Sequence, residues 1–162
     1  MQLLEWAIEE PEAHLHPNLQ RLIFRNYLRP RCAGLAEQKN EASTTVLMTT
    51  HSPHIACVTP LRDIVLLRQN MERNATEAIS TAEIELDEAD VVDIERYLDV
   101  NRCEIFFAKG VILVEGIAEC FLVPVLAKNN GYDLEEHGIV VCSIAGTNFL
   151  PYLTLLGPNG LD

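Results

Sequence analysis

The 162-residue sequence predicts an α/β fold, and three observations carry that prediction. Short apolar, β-branched runs recur along the chain, and each is stopped abruptly by an acid, a proline or a polar cluster. The stretches between them follow a helical period. Strands and helices therefore alternate, which is the pattern of a mostly parallel sheet.

Leu3 to Ile8 is the first such run, a strand that ends in Glu9, Glu10 and Pro11. Pro17 suits the first turn of a helix, and Leu19, Leu22, Ile23 and Asn26–Tyr27 continue its period as far as Pro30. Ala33 to Ser43 is polar and contains glycine, a loop. Thr44 to Thr50 (TTVLMTT) is a second buried strand, broken by His51-Ser52-Pro53, and Asp63 to Arg68 (DIVLLR) is a third. Gln69 to Thr81 is weakly patterned and reads as a surface excursion. Asp87 opens a helical segment (DEADVVDIERYLDV) whose early acids suit the positive end of a helix dipole. A second strand–helix–strand–helix unit starts near residue 109. Its parts are Gly110–Val114 (GVILV), Ile117–Asn129, Gly138–Ser143 (GIVVCS) and Phe149–Leu156.

Composition bounds the function. With 48% hydrophobic and 22% charged residues the chain is globular. No apolar run approaches the roughly 18 residues that span a bilayer, and no basic flank precedes an apolar stretch at the start, so neither membrane nor signal peptide is expected. The five cysteines are scattered without a CxxC pair, which argues against structural zinc or a disulfide framework and fits a reducing cytoplasm. Twelve basic against twenty-four acidic residues gives a net charge of −12. Such a chain does not grip nucleic acid through its own charge, because that grip needs Lys and Arg to neutralise phosphates. The one basic cluster is Arg21, Arg25, Arg29 and Arg31, readable as a solvated helix face or as a phosphate contact.

Two constellations carry chemistry. Glu9 and Glu10 lie at the carboxyl end of a strand, the edge of an open α/β sheet where ligands bind. Adjacent acids there suit nucleotide hydrolysis, one holding magnesium and the next orienting the attacking water. Without a cation the pair repels by on the order of 4 kcal/mol at an effective dielectric of about 20. Capping of the strand in solvent is the plainer alternative. In the second constellation Glu115 ends a strand, Gly116 is expected to permit a sharp turn, and Glu119 falls in the first turn of the next helix. That spacing brings two carboxylates to one sheet edge. Magnesium takes a few carboxylates plus waters, and metal pairs cleave phosphodiesters by clamping the attacking and leaving oxygens.

The string IEEPEAHLHP, Ile8 to Pro17, resembles the Walker B segment and D-loop of ATPase heads in the OLD (overcoming lysogenisation defect) nuclease family. Those heads are relatives of the ATP-binding-cassette and chromosome-maintenance ATPases. The resemblance implies that Glu9, where the wider superfamily has aspartate, is a magnesium ligand. It makes Glu10 the catalytic base and Glu12 to His16 a loop crossing to a partner head. Thr49-Thr50-His51-Ser52-Pro53 resembles the switch-histidine motif of the same heads, with His51 donating a hydrogen bond to the γ-phosphate. The HxH spacing of His14 and His16 would suit zinc, but no third ligand stands near.

GVILVEGIAE, Gly110 to Glu119, resembles the opening of the Toprim fold of topoisomerases, primases and OLD nucleases. It implies Glu115 as the principal catalytic or metal-binding glutamate, Glu119 as a second metal ligand, and Ser143–Thr147 as the small-residue turn after the next strand. No GxxxxGK[ST] loop and no Asp-x-Asp pair occurs in the sequence, so both belong to flanking chain in the family. The isolated chain is therefore expected to lack ATPase activity.

The expected organisation is the C-terminal part of an ATPase head over residues 1–68, a connector over 69–104, and the N-terminal part of a Toprim domain over 105–162. The whole protein is expected to be an ATP-dependent, magnesium- or manganese-dependent DNA endonuclease or nickase, dimeric through its heads and acting in phage defence or DNA repair. Two rivals remain open: a chromosome-maintenance-like ATPase head without nuclease activity, and a non-catalytic interaction fragment.

Overall fold

The computed structural model describes residues 4–25, 45–70, 73–98, 100–158 and 160–161. The helical period predicted beyond Arg25, the basic residues Arg29 and Arg31, and the loop over 33–43 lie outside the described residues. The chain divides into two compact units, residues 1–59 and residues 60–162.

In the first unit, strand β1 (Leu4–Glu9) pairs in parallel with β2 (Thr45–Thr49), and helix α1 (Pro17–Ile23) lies between them in sequence. Parallel pairing requires a crossover, and the helix that Pro17 opens supplies part of it. His16 caps α1, its Nδ1 accepting from the Asn18 amide at 3.3 Å. Ser52 caps a short helix α2 (Pro53–Ala56), its hydroxyl accepting from the His54 amide at 3.2 Å. Strand alternation places Ile8, Val46 and Met48 on one half-buried face, with Ala7 and Leu47 exposed on the other. Met48 and Cys57 pack against a core of Phe24, Ile55 and Val58.

The second unit opens with a 3₁₀ turn at Leu61–Asp63 and then departs from the expected parallel order. Strand β3 (Val65–Asn70) pairs antiparallel with β4 (Ala75–Ser80), so DIVLLR begins a hairpin of its own. The expected surface excursion over residues 69–81 is thus largely a strand. Its side chains barely alternate in polarity because the hairpin is mostly exposed: Val65 and Leu67 are more than half accessible. The turn is set by Asn74 in the left-handed region (φ 48°), a conformation Asn tolerates, and by the Arg73 amide donating to Asn70 Oδ1 at 3.1 Å.

Behind the hairpin, Thr81 is fully buried and its hydroxyl donates to the carbonyls of Leu61 and Ile64. Arg62 donates to the carbonyls of Ile84 at 2.8 Å and Leu86 at 2.7 Å, holding that extended segment against the 3₁₀ turn. Helix α3 (Glu88–Tyr97) follows as expected, with Glu88 and Asp90 in its first turn and Val91 and Ile94 buried. Glu95 accepts from the Leu61 amide at 2.7 Å, tying α3 to the same turn. The short helix α4 (Val100–Cys103) leads into the predicted second βαβα unit.

Strand β5 (Gly110–Val114) pairs in parallel with β6 (Ile139–Ser143) through helix α5 (Ile117–Asn129), and helix α6 (Leu150–Leu156) follows. Pro124 lies inside α5 without ending it. Buried apolar residues include Leu134, Cys142, Ile144, Tyr152, Leu155 and Leu161. Among the described residues no helix is long and apolar enough to cross a membrane.

Ile94 has no accessible surface and Val92, two residues away on the same helix, is 60% exposed. Ile94→Ala should therefore lower the unfolding free energy by about 2–5 kcal/mol. Val92→Ala should change it by under about 0.5 kcal/mol. Urea denaturation of the two variants measures both.

Candidate active sites

The first site is built where β1 and β2 end side by side. Glu9 and Thr49 form the last pair of the ladder, and the Glu10 amide donates to the Thr49 carbonyl at 3.0 Å. Glu10 then turns into the left-handed region with φ 41°. A non-glycine residue there costs roughly 1–2 kcal/mol, and such strain collects at functional positions. A tight turn closes behind it, the Ala13 amide donating to the Glu10 carbonyl at 2.9 Å. The reversal aims the Glu10 carboxylate across the strand ends to His51, with Nε2 to Oε1 at 3.5 Å. Both side chains are well exposed, at 86% for His51 and 48% for Glu10. As an ion pair in water the contact contributes little. The two groups stand open to a ligand from the solvent side.

Glu12 organises this edge. Its Oε1 accepts from the Thr50 hydroxyl at 2.5 Å and from the His51 amide at 3.0 Å, while the Ser52 amide donates to Thr50 Oγ1 at 3.0 Å. Ser52 Oγ in turn donates to Gln20 Oε1 at 2.6 Å, and Gln20 Nε2 donates to the Leu15 carbonyl at 3.0 Å. The loop after β1 is thus bonded side chain by side chain to the loop after β2. The Glu12 carboxylate turns inward to its own chain. Nothing in linear spacing announces a bond across 38 residues. Glu9 remains exposed at the ladder's end. His14 is exposed too, and the ring of His16 is occupied in capping α1. Among the described residues no three His, Cys, Asp or Glu side chains gather as a metal cluster.

The second site has the same origin, the paired ends of β5 and β6. The Glu115 carbonyl accepts from the Gly146 amide at 3.1 Å and from Ser143 Oγ at 3.2 Å, and Ser143 Oγ accepts from the Ala145 amide at 3.1 Å. These bonds fix the backbone from which the exposed Glu115 side chain leaves. Gly116 lies in the expected bend between β5 and α5, but its own backbone is extended, with φ −133° and ψ 173°, a conformation open to any residue. A Cβ there would stand 3.1 Å from Glu119 Oε2, the end of an exposed, flexible side chain that could move aside. The Glu119 carboxylate folds back from the first turn of α5 toward Gly116, where the helix dipole favours negative charge. The left-handed residue of this edge is Ala145, with φ 53°, inside the small-residue turn. Two hard carboxylates completed by water are a donor set suited to magnesium or manganese.

Arg102, which sequence inspection passed over, reaches this edge from α4. Its Nε donates to the Ser143 carbonyl at 3.0 Å and its Nη1 to the Tyr97 carbonyl at 2.6 Å. Tyr152 is buried in the same unit, and its hydroxyl has no hydrogen-bond partner among the described residues. Burial pushes its phenol above the ordinary tyrosine range, with the Arg102 charge opposing the shift.

Comparison with known proteins divides the chain in the same order. Residues 4–56 match the AAA ATPase domain, and residues 106–162 match the Toprim domain of overcoming-lysogenization-defect-like proteins. The chain joins an AAA ATPase segment to an OLD-like Toprim segment. Among curated proteins it is 26% identical to endonuclease GajA of Bacillus cereus (strain HuB5-5), over 93% of this chain and 24% of that protein. It is 28% identical to the OLD nuclease of Thermus scotoductus, over 69% of this chain and 20% of that protein. The chain thus spans about a quarter or less of the length of these relatives. Among solved structures, the C-terminal region of the Burkholderia pseudomallei OLD protein aligns at 55% identity with a TM-score of 0.33, covering 34% of this chain and 28% of that one. The corresponding region of the Xanthomonas campestris OLD protein aligns at 60% identity with a TM-score of 0.35, covering 36% and 28%.

In the ATPase segment, the strain at Glu10 can be separated from its charge. Glu10→Gly, which relaxes the left-handed backbone, should be more stable than Glu10→Gln by on the order of 1 kcal/mol, although both remove the carboxylate charge. Equal urea midpoints for the two variants would show that the backbone is not strained there.

Proposed function

We propose that this chain is the central part of an ATP-dependent DNA endonuclease or nickase, in which the ATPase segment hydrolyses ATP and the Toprim segment cuts phosphodiester bonds with a divalent metal. The observation that carries the reading is the recurrence of acidic groups at the carboxyl ends of two separate parallel strand pairs. One set faces a histidine, and the other consists of a strand-end glutamate and a glutamate in the first turn of the following helix.

In the ATPase segment, Glu10 orients the attacking water and accepts its proton, and Glu9 would hold magnesium, which would supply charge stabilisation for the phosphate oxygens. His51, on the far side of the same edge, donates to the γ-phosphate. In the Toprim segment, Glu115 and Glu119 hold magnesium or manganese, which supplies charge stabilisation for the phosphodiester oxygens. The chain's strongly acidic balance leaves DNA gripping to that metal, to a small basic surface such as Arg21 and Arg25, or to other parts of the protein. The resemblance to OLD heads supports a homodimer through the ATPase segments and a cytoplasmic role in phage defence or DNA repair.

Separate variants test the two halves in the full-length protein. Glu10→Gln should abolish ATP hydrolysis and leave ATP binding within about threefold, because the phosphate contacts stay. Equal loss of binding and turnover would remove the base role from Glu10.

Glu115→Ala should reduce metal-dependent plasmid nicking by on the order of 100-fold or more while phosphate release from ATP stays near the parental rate. Glu119→Ala should do less damage, because water can take its place at a metal. Nicking by Glu115→Ala at the parental rate would favour an ATPase head without nuclease activity.

A further inference from the structure

We propose that Glu12 is a positioning residue for ATP hydrolysis, holding the turn that carries His51 at the distance from Glu10 that the reaction uses. The proposal rests on the ATPase half of the function above and adds a residue to it.

The geometry around His51 leaves its ring without a fixed surrounding. The side chain is 86% exposed, and its 3.5 Å contact with Glu10 is solvent-washed on both sides. An exposed ring of this kind is placed by its backbone. That backbone is held by Glu12, whose Oε1 accepts from the His51 amide at 3.0 Å and from the preceding Thr50 hydroxyl at 2.5 Å. Thr50 Oγ1 passes the constraint to the residue after the histidine by accepting from the Ser52 amide at 3.0 Å. One carboxylate therefore binds the residues before and at the histidine, and through Thr50 the residue after it.

Glu12 also stands two residues beyond Glu10, at the far side of the proline that follows it, within the turn closed by the Ala13 amide on the Glu10 carbonyl at 2.9 Å. The same short loop thus sets the direction of Glu10 and the position of His51. Charge-assisted hydrogen bonds are stronger and shorter than neutral ones, which suits a clamp between two loops 38 residues apart in sequence. Glu12 Oε2 is buried without a hydrogen-bond partner among the described residues. Burying that one oxygen without a partner carries a desolvation cost, and unsatisfied polar atoms of this kind are found at working sites. Its role is orientation, since Oε1 is engaged by the Thr50 hydroxyl and the His51 amide and Oε2 is buried.

The experiment measures steady-state ATP hydrolysis and ATP binding by the full-length protein carrying Glu12→Ala, Glu12→Gln, Thr50→Val or Glu10→Gln. Misplacing a catalytic group by about an ångström commonly costs up to 100-fold. Glu12→Ala is therefore expected to lower kcat by at least about 10-fold, with KM and ATP affinity within about threefold of the parent. Glu12→Gln keeps the acceptor oxygen for both donors and should recover kcat to within about threefold. Thr50→Val removes one donor and should give an intermediate loss; it also serves as the test if Glu12→Ala does not fold. A parental kcat in Glu12→Ala, or in Thr50→Val where the former is unfolded, overturns the proposal, as does a Gln variant no better than Ala. A merely structural role would lower the unfolding midpoint and leave kcat per folded molecule unchanged. Should Glu10→Gln hydrolyse ATP like the parent, the ATPase reading itself fails, a result separate from any behaviour of Glu12.

Discussion

Parallel strand pairing is the constraint on which both candidate sites depend. When two strands run the same way, their carboxyl ends emerge together, so residues far apart in sequence are delivered to one edge. Ladder β1–β2 ends at Glu9 and Thr49, which puts Glu10 and His51 on adjacent loops. Ladder β5–β6 ends at Val114 and Ser143, which brings Glu115 against the turn of Ser143 to Gly146. Glu10 and Glu115 are each the first residue free of their ladder. The backbone of each is still tied to the neighbouring strand or the turn beyond it: Glu10 donates to Thr49, and Glu115 accepts from Gly146.

The two edges solve the problem of aiming a carboxylate differently. At the first, a non-glycine residue takes a left-handed conformation, and an inward-facing Glu12 locks the opposing loop. At the second, the catalytic candidate stays out of the left-handed region, the left-handed residue is the small Ala145 across from it, and the Glu119 carboxylate reaches back toward Gly116. Backbone strain, side-chain hydrogen bonding and close approach are thus exchanged for one another, each spent where a charged group must be held near a neighbour.

The region between the ladders works by other means. Arg62, Thr81 and Glu95 satisfy backbone carbonyls and amides of segments that form no sheet with either ladder. Buried backbone groups must find partners, and where strands do not supply them side chains do. The antiparallel hairpin β3–β4 meets the same requirement locally, with its strands bonded to each other.

Sequence alone determined the parts that rest on local pattern. The apolar runs before Glu9, His51 and Glu115 are strands, and the segment Ile117–Asn129 is a helix over the same residues. Their order as two βα units follows from alternation, and the family resemblance rests on short strings at the strand ends. The hairpin is not legible in the sequence because ATEAIS is only half-buried and has little hydrophobic alternation to read. Gly116 marks the bend after β5 by its residue type, whereas only the folded chain brings Glu119 back toward it. The clamp of Glu12 on Thr50 and His51, and the reach of Arg102 to Ser143, were decided by tertiary structure alone. The reason is physical: propensity and periodicity act over a few residues, whereas these bonds join residues 38 to 41 apart whose approach exists only once parallel strands have paired.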